Sequence, residues 1–403
     1  MRILMITDVY FPRVNGVSTS ISTFIRELES QGHRVTLIAP MYSDEGDDLE
    51  EDIGFEIIRI PARKVLFDPE DRLMKRRIMN LHLKHLARRQ FDILHIQTPF
   101  LAHYAGIKLA GKLDIPVVET CHTYFEEYLY HYLRFLPRSW TRWLARRYAR
   151  AQSADVDSMI VPSTMMHKIL TDYGVSTPMH IIPTGLDEAR FIGGNGDLFR
   201  AKFGVGPDRP VLCHVGRSAH EKNIDFLLDM LVLVKKEIPD VMLILAGEGP
   251  AQEHLKSRSI SLDLTDNVEF VNYLDRDTEL KDCYCAGDVF VFASRTETQG
   301  LVLLEAMALG VPVVSTAVLG TVDILQPGMG ALVADENLDN FSSKVITLLR
   351  DEELRRRKSK EAIEYAHTWS AEDTTLRLVE FYEDILWSRQ QASFNMKQAS
   401  ETI

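Results

Sequence analysis

Short apolar runs alternate with helix-period segments, and they do so twice along this chain. In the first pass the runs fall at residues 3–7, 35–39, 55–60, 93–97, 117–120, 159–161 and 180–183. After the turn-rich stretch Ile192-Gly193-Gly194-Asn195-Gly196-Asp197 they restart at 211–215, 241–246, 268–271, 288–293 and 313–315. Strands separated by helices predict a parallel sheet covered by helices on both faces. The expectation is an α/β protein of two Rossmann-like, doubly wound domains facing a central cleft, since ligands in such sheets bind beyond the carboxyl ends of the strands. The domains are placed at 1–190, 191–370 and a C-terminal segment 371–403. That segment holds a helix packing back toward the first domain and a frayed polar tail. With 403 residues, 45% of them hydrophobic, two such cores can be buried.

The apolar run at the N-terminus ends at Asp8 and is too short for a signal segment. No stretch approaches the ~20 apolar residues of a membrane span. Cys121, Cys213, Cys283 and Cys285 are scattered, as expected of reduced thiols in a cytosolic protein. The formal net charge is -12, yet bases and acids nearly balance over residues 1–180, so the acidity belongs to the rest of the chain. Two windows in the first half, 72–91 and 134–154, carry basic residues and no acids. The overall acidity and the lack of a recognisable binding module argue against nucleic acid as a partner.

The segment Glu297-Thr298-Gln299-Gly300-Leu301-Val302-Leu303-Leu304-Glu305 sets two carboxylates across a glycine turn and a helix start. Gly300 lets backbone approach a ligand, the first helical amides favour an anion, and carboxylates suit hydroxyls. The combination fits a nucleotide sugar: Glu297 for sugar hydroxyls, amides at Gly300 and Leu301 for diphosphate, and Glu305, pointing to the same rim, for ribose. Arg217 and Lys222 follow the strand ending at Gly216 and would clamp phosphate oxygens. Gly247-Glu248-Gly249 is read as a tight turn bordering the base. In the first half, Asn15-Gly16 forms a turn ahead of a helix from Thr19, with amides able to approach the donor phosphate or the acceptor hydroxyl. His122 follows a buried strand and so reaches the same edge. Arginines at 134, 138, 142, 146 and 150 recur every fourth residue, about 40° apart on a helix. With Arg147, Trp140 and Trp143 beside them, they form a basic, tryptophan-bearing stripe suited to an anionic bilayer surface. A core-facing helix with a solvated cationic side is the plain alternative.

Together these residues resemble family 4 of the retaining nucleotide-sugar glycosyltransferases, which have the two-domain GT-B fold. The motifs are Glu297 and Glu305, Arg217 with Lys222, the loop at Gly16, and His122. The resemblance implies that Glu297 contacts the donor sugar, Glu305 the ribose, Arg217 and Lys222 the diphosphate, and His122 the sugar's C6 hydroxyl. Residues 11–20 and 122–128 look like the diacylglycerol α-glucosyltransferase branch, although Asn15-Gly16 stands where other members carry two glycines.

The implied reaction moves a hexose, glucose from UDP-glucose, to 1,2-diacylglycerol with retention at the anomeric carbon. It is expected at the inner face of the cell membrane, in a cytoplasmic peripheral enzyme without cofactor. A metal is not expected, since neither Asp155-x-Asp157 nor Asp275-x-Asp277 stands at a strand end beside the donor residues. Rival expectations are a soluble or polyprenol-linked acceptor, a GDP-mannose donor, a UDP-N-acetylhexosamine 2-epimerase, or a catalytically silent membrane scaffold.

Overall fold

The structure is a computed structural model and describes residues 1–42, 54–65, 72–124, 126, 137–275 and 278–401. The chain forms two compact units: Met1–Gly185 together with Ala371–Ile403, and Leu186–Ser370.

In chain order the first unit holds β1 (Arg2–Ile6), α1 (Gly16–Ser30), β2 (Arg34–Pro40), β3 (Glu56–Ile60), β4 (Ala62–Lys64), β5 (Arg72–Met74) and α2 (Arg76–Leu86). Next come β6 (Ile93–Ile96), α3 (Leu101–Leu113), β7 (Val117–Thr120), α4 (Arg138–Ser153), β8 (Ser158–Val161), α5 (Thr164–Asp172) and β9 (Met179–Ile181). Seven strands make one parallel sheet in the order β3-β2-β1-β6-β7-β8-β9. Strands β1, β6, β7 and β8 are buried almost throughout, which is why their sequence is mostly apolar without strict alternation. Side chains of α2, α3, α4 and α5 fill one side of the sheet. Those of α1 fill the other.

The second unit holds α6 (Gly196–Lys202), β10 (Val211–Val215), α7 (Ile224–Glu237), β11 (Met242–Ala246), α8 (Gln252–Ser261), β12 (Val268–Val271), α9 (Glu279–Ala286) and β13 (Val289–Phe292). It continues with α10 (Leu301–Ala308), β14 (Val313–Thr316), α11 (Thr321–Leu325), β15 (Ala331–Ala334), α12 (Leu338–Arg350) and α13 (Glu352–Ala366). Its parallel sheet runs β12-β11-β10-β13-β14-β15. Two apolar clusters cover its faces, one built with α6, α9, α10 and α13, the other with α7, α8 and α12.

The last helix, α14 (Ala371–Glu401), belongs to the first unit. Leu378, Phe381 and Tyr382 bury themselves beside α1. Tyr382 Oη bonds His95 Nδ1 at 2.6 Å, and His95 Nε2 bonds Thr120 Oγ1 at 2.6 Å. Burial pushes this imidazole down to about 3, so it is neutral. The expected frayed tail is corrected: the helix runs on to Glu401, through residues that hold no glycine or proline to end it. Strand β15 and the antiparallel β4/β5 pair were not among the expected strands.

Candidate active site

In the second sheet the order reverses between β10 and β13, which pair directly while their chain neighbours lie to opposite sides. Loops that leave such a switch point diverge and open a site at the carboxyl edge. Both donor motifs leave it there, residues 216–223 from β10 and 293–300 from β13. The structure joins them. Lys222 Nζ forms an ion pair with Glu297 Oε1, each side chain about one-fifth exposed. Asn223, left-handed at φ 57°, ends the short turn His220–Lys222 and donates from Nδ2 to Ala293 O at 3.2 Å.

Glycines set how closely these loops approach their supports. A Cβ on Gly247 would lie 2.2 Å from Gly216 O, and one on Gly249 2.4 Å from Ser218 O. Ser218 N donates to Glu248 O at 3.0 Å and Ser218 Oγ to Gly247 O at 2.8 Å. The Gly-x-Gly turn therefore buttresses the Arg217 loop from behind. On the other side, Gly300 has φ 103° and starts α10, as its sequence suggested. Gly320, unremarked in the sequence, has no room for a Cβ, which would meet Thr298 O at 1.9 Å, and its amide donates to Glu297 O at 2.9 Å. Thr298 and Leu301 are partly exposed, whereas Gln299 is buried.

Glu305 departs from its expected place on the rim. It is 4% exposed and accepts a hydrogen bond from the fully buried Tyr284 at 2.7 Å. One turn of helix carries it inward, because α10 is sunk in the core on its Leu303–Leu304 side. Tyr284, on α9, had no sequence signal distinguishing it from a core aromatic. Beneath the Lys222–Glu297 pair lies His214 on β10, 1% exposed, with Nδ1 3.0 Å from Val291 O. Burial pushes it down to about 4, so it adds no charge to the site.

The first unit places its candidates at its own switch point, where β1 pairs with β6. Asn15 is a helix cap, not a flexible turn: its Oδ1 accepts from Ser18 N at 2.8 Å while Ser18 Oγ accepts from Asn15 N at 2.9 Å. This capping box starts α1 at Gly16 rather than at Thr19. The space a Cβ would take at Gly16 is open, leaving its helix start accessible. Asp8 links the two strand ends, accepting from Thr98 Oγ1 at 2.9 Å and Ala102 N at 3.0 Å. Its burial outweighs those bonds and raises the carboxyl to about 6. His122 Nε2 lies 2.9 Å from Gln97 Oε1, an acceptor, so Nε2 carries the proton. Burial lowers this ring to about 4, making Nδ1 the basic nitrogen of a neutral imidazole. Gln97, one residue beyond β6, was not singled out in the sequence.

Arg134 lies outside the described residues. The rest of the stripe is on α4, where Arg138, Arg142, Arg146, Arg147 and Arg150 are all exposed, as are Trp140 (63%) and Trp143 (55%). Thr141, Ala145 and Ala149 face the core at helical spacing. The arginines do not act alike. Arg142 pairs with Glu126 at 2.8 Å, Arg146 lies over Tyr173, and Arg147 covers Trp143. On the same side of the sheet α2 exposes Lys75, Arg76, Arg77, Lys84 and Arg88. Among the described residues no helix is long and apolar enough to cross a membrane.

The aspartates have structural partners: Asp155 contacts His103 at 3.4 Å, Asp157 accepts from Val117 N, and Asp275 caps Thr278. Asp277 is outside the described residues. The four cysteines are thiols.

Known proteins match most of this chain. Residues 14–190 match Glycosyltransferase Family 4 and residues 196–365 match Glycosyl transferases group 1. The α-monoglucosyldiacylglycerol synthase of Streptococcus pneumoniae is 34% identical over 96% of this chain and 87% of its own. The enzyme of that name from Acholeplasma laidlawii is 28% identical over 78% and 80%. GDP-mannose-dependent α-mannosyltransferases stand among further relatives. The crystal structure of Anabaena HepE with UDP and glucose superposes with TM-score 0.78 at 16% identity, over 95% of this chain and 100% of that one. The chain is a glycosyltransferase of family 4, with the GT-B fold.

Proposed function

We propose that the protein transfers glucose from UDP-glucose to the free hydroxyl of 1,2-diacylglycerol, giving an α-glucosyl lipid at an anionic membrane surface. The observation that carries the donor half is the Lys222–Glu297 pair at the switch point of the second sheet, three residues before Gly300. A partly buried ion pair costs desolvation that only close partners offset. A nucleotide sugar offers both partners at once, phosphate oxygens for Lys222 and sugar hydroxyls for Glu297. Arg217 and the α10 amides add charge stabilisation for the diphosphate, and Glu305, set below the rim against Tyr284, would hold the ribose from there. The acceptor half is supported by the names of the two synthases and by the exposed tryptophans and arginines of α4.

The reaction would proceed with retention and without a metal. The bond from the anomeric carbon to the diphosphate oxygen breaks, and the acceptor oxygen bonds to the same face. The departing oxygen takes the acceptor's proton. Arg217 and Lys222 stabilise the charge growing on that oxygen, while neutral His122 contacts the sugar. The GDP-mannose-dependent relatives keep a mannosyl donor as the second reading.

A screen of UDP-glucose and GDP-mannose against diacylglycerol in anionic vesicles and water-soluble sugars, with product anomer read by NMR, tests both halves. The expected product is α-glucosyl diacylglycerol, formed equally in chelator. Vesicle-independent activity on a soluble sugar overturns the lipid acceptor, a β-product overturns retention, and a strict need for divalent ion overturns the metal-free mechanism.

A further inference from the structure

Beside the donor residues, the second unit gathers two imidazoles and a carboxylate on its surface. His220 opens the turn that ends at Lys222, Asp225 stands in the first turn of α7, and His254 near the start of α8. One nitrogen from each ring and one carboxylate oxygen all lie within 4.8 Å of one another. The rings are 5.5 Å apart between centroids, and His254 Nε2 bonds Asp225 Oδ1 at 2.8 Å. Both histidines are exposed and Asp225 is half-buried, so an ion has access from solvent.

We propose that His220, Asp225 and His254 form a binding site for one transition-metal ion of the zinc class, completed by water. Two imidazoles and a carboxylate suit zinc, cobalt or nickel better than magnesium or calcium, which prefer oxygen. Bonds of roughly 2.0–2.1 Å would set the ligand atoms about 3.3 Å apart, a closure that rotation of the exposed His220 ring can supply. The nearby cation does not prevent this. Arg258 Nε is 3.2 Å from Asp225 Oδ1, but its Nη2 is held by both oxygens of Asp229 at 2.6 and 2.8 Å. His254 ligates through Nε2 only as the tautomer with its proton on Nδ1, and protons compete with the ion for both imidazoles, so binding weakens as pH falls.

The three ligands come from three segments, and an ion would therefore clamp the Lys222 turn to α7 and α8. This role is structural and separate from the chemistry. The consequence for Lys222 rests on the donor reading above, whereas the metal site itself does not.

The test is titration of the untagged, chelator-treated full chain with Co(II), read by its visible absorption, with zinc competition and thermal melts. One ion per chain is expected, displaced by zinc, with zinc raising the melting temperature. Losing a partner outside the ligand shell already costs about 10–100-fold in affinity, so His220→Ala and His254→Ala should each weaken Co(II) binding at least about tenfold. His85→Ala, on α2, should leave it unchanged. The absence of saturable absorption, or binding as tight as the unaltered chain's in both ligand variants, overturns the site. Saturable Co(II) binding by a chain that transfers nothing from UDP-glucose would strike the donor reading alone.

Discussion

Replacing Tyr284 by phenylalanine deletes one oxygen from the interior of the second unit and leaves the ring in place. That oxygen lies 2.7 Å from Glu305 Oε2, with Tyr284 fully buried and Glu305 4% exposed. The ring keeps its contact with Phe290 at 5.6 Å between centroids, so no side-chain-sized cavity opens. A hydrogen bond to a charged acceptor contributes about 1.5–3 kcal/mol, and its loss leaves the carboxylate buried with one donor fewer. Each kcal/mol shifts the midpoint by about 2–4 °C in a unit of this size, giving a fall of roughly 3–12 °C. Because the chain has two units, a single whole-chain transition is not a safe measure. Trp369 is the one tryptophan of four in the second unit, and a variant that retains it alone reports that unit by fluorescence. A double-mutant cycle with Glu305→Gln isolates the pair. A midpoint change under about 1 °C, or a coupling below about 0.5 kcal/mol, would refute Tyr284 as the anchor of Glu305.

Arg217→Ala and Lys222→Ala should each lower turnover about 10²–10³-fold, the usual cost of removing one transition-state charge partner; near-normal kcat in both would refute their role on the leaving group. Double neutralisation, Arg138→Gln with Arg147→Gln, should weaken sedimentation with anionic vesicles roughly thirtyfold, since each basic side chain near such a surface contributes about 1 kcal/mol. Asp8 has a folded value of about 6, above the unfolded carboxyl at about 3.9. Its contribution to stability is complete below the unfolded value and is lost as pH rises through about 6. Asp8→Asn should flatten that part of the melting-temperature profile, and an unchanged pH dependence would show that other groups set it.

Much of the fold could be read from the chain because a parallel strand buried on both faces must be largely apolar. Runs such as 3–7 and 211–215 therefore announce themselves and foretell the switch-point loops that follow them. Lys222, Glu297 and Gly300 were legible for the same reason, since each stands just past a recognisable strand or at a helix start. Asn15 was legible as a polar break, but its capping box with Ser18 depends on a local backbone geometry that a turn reading does not capture. Gly320 and Gln97 escaped notice because their importance comes from neighbours distant in sequence. The Gly247 and Gly249 pair was legible as a tight turn, whereas only the fold reveals that the Arg217 loop leans on it.

The sequence by itself determined the two sheets, the loops that carry the charged residues and the basic tryptophan face of α4, because strand and helix periodicity are local properties. Only the tertiary structure decided that Lys222 would meet Glu297 across 75 residues, that Glu305 would turn inward to Tyr284, and that His220 would stand beside Asp225 and His254. Such pairings depend on side-chain direction, packing depth and strand order, which short-range periodicity does not encode.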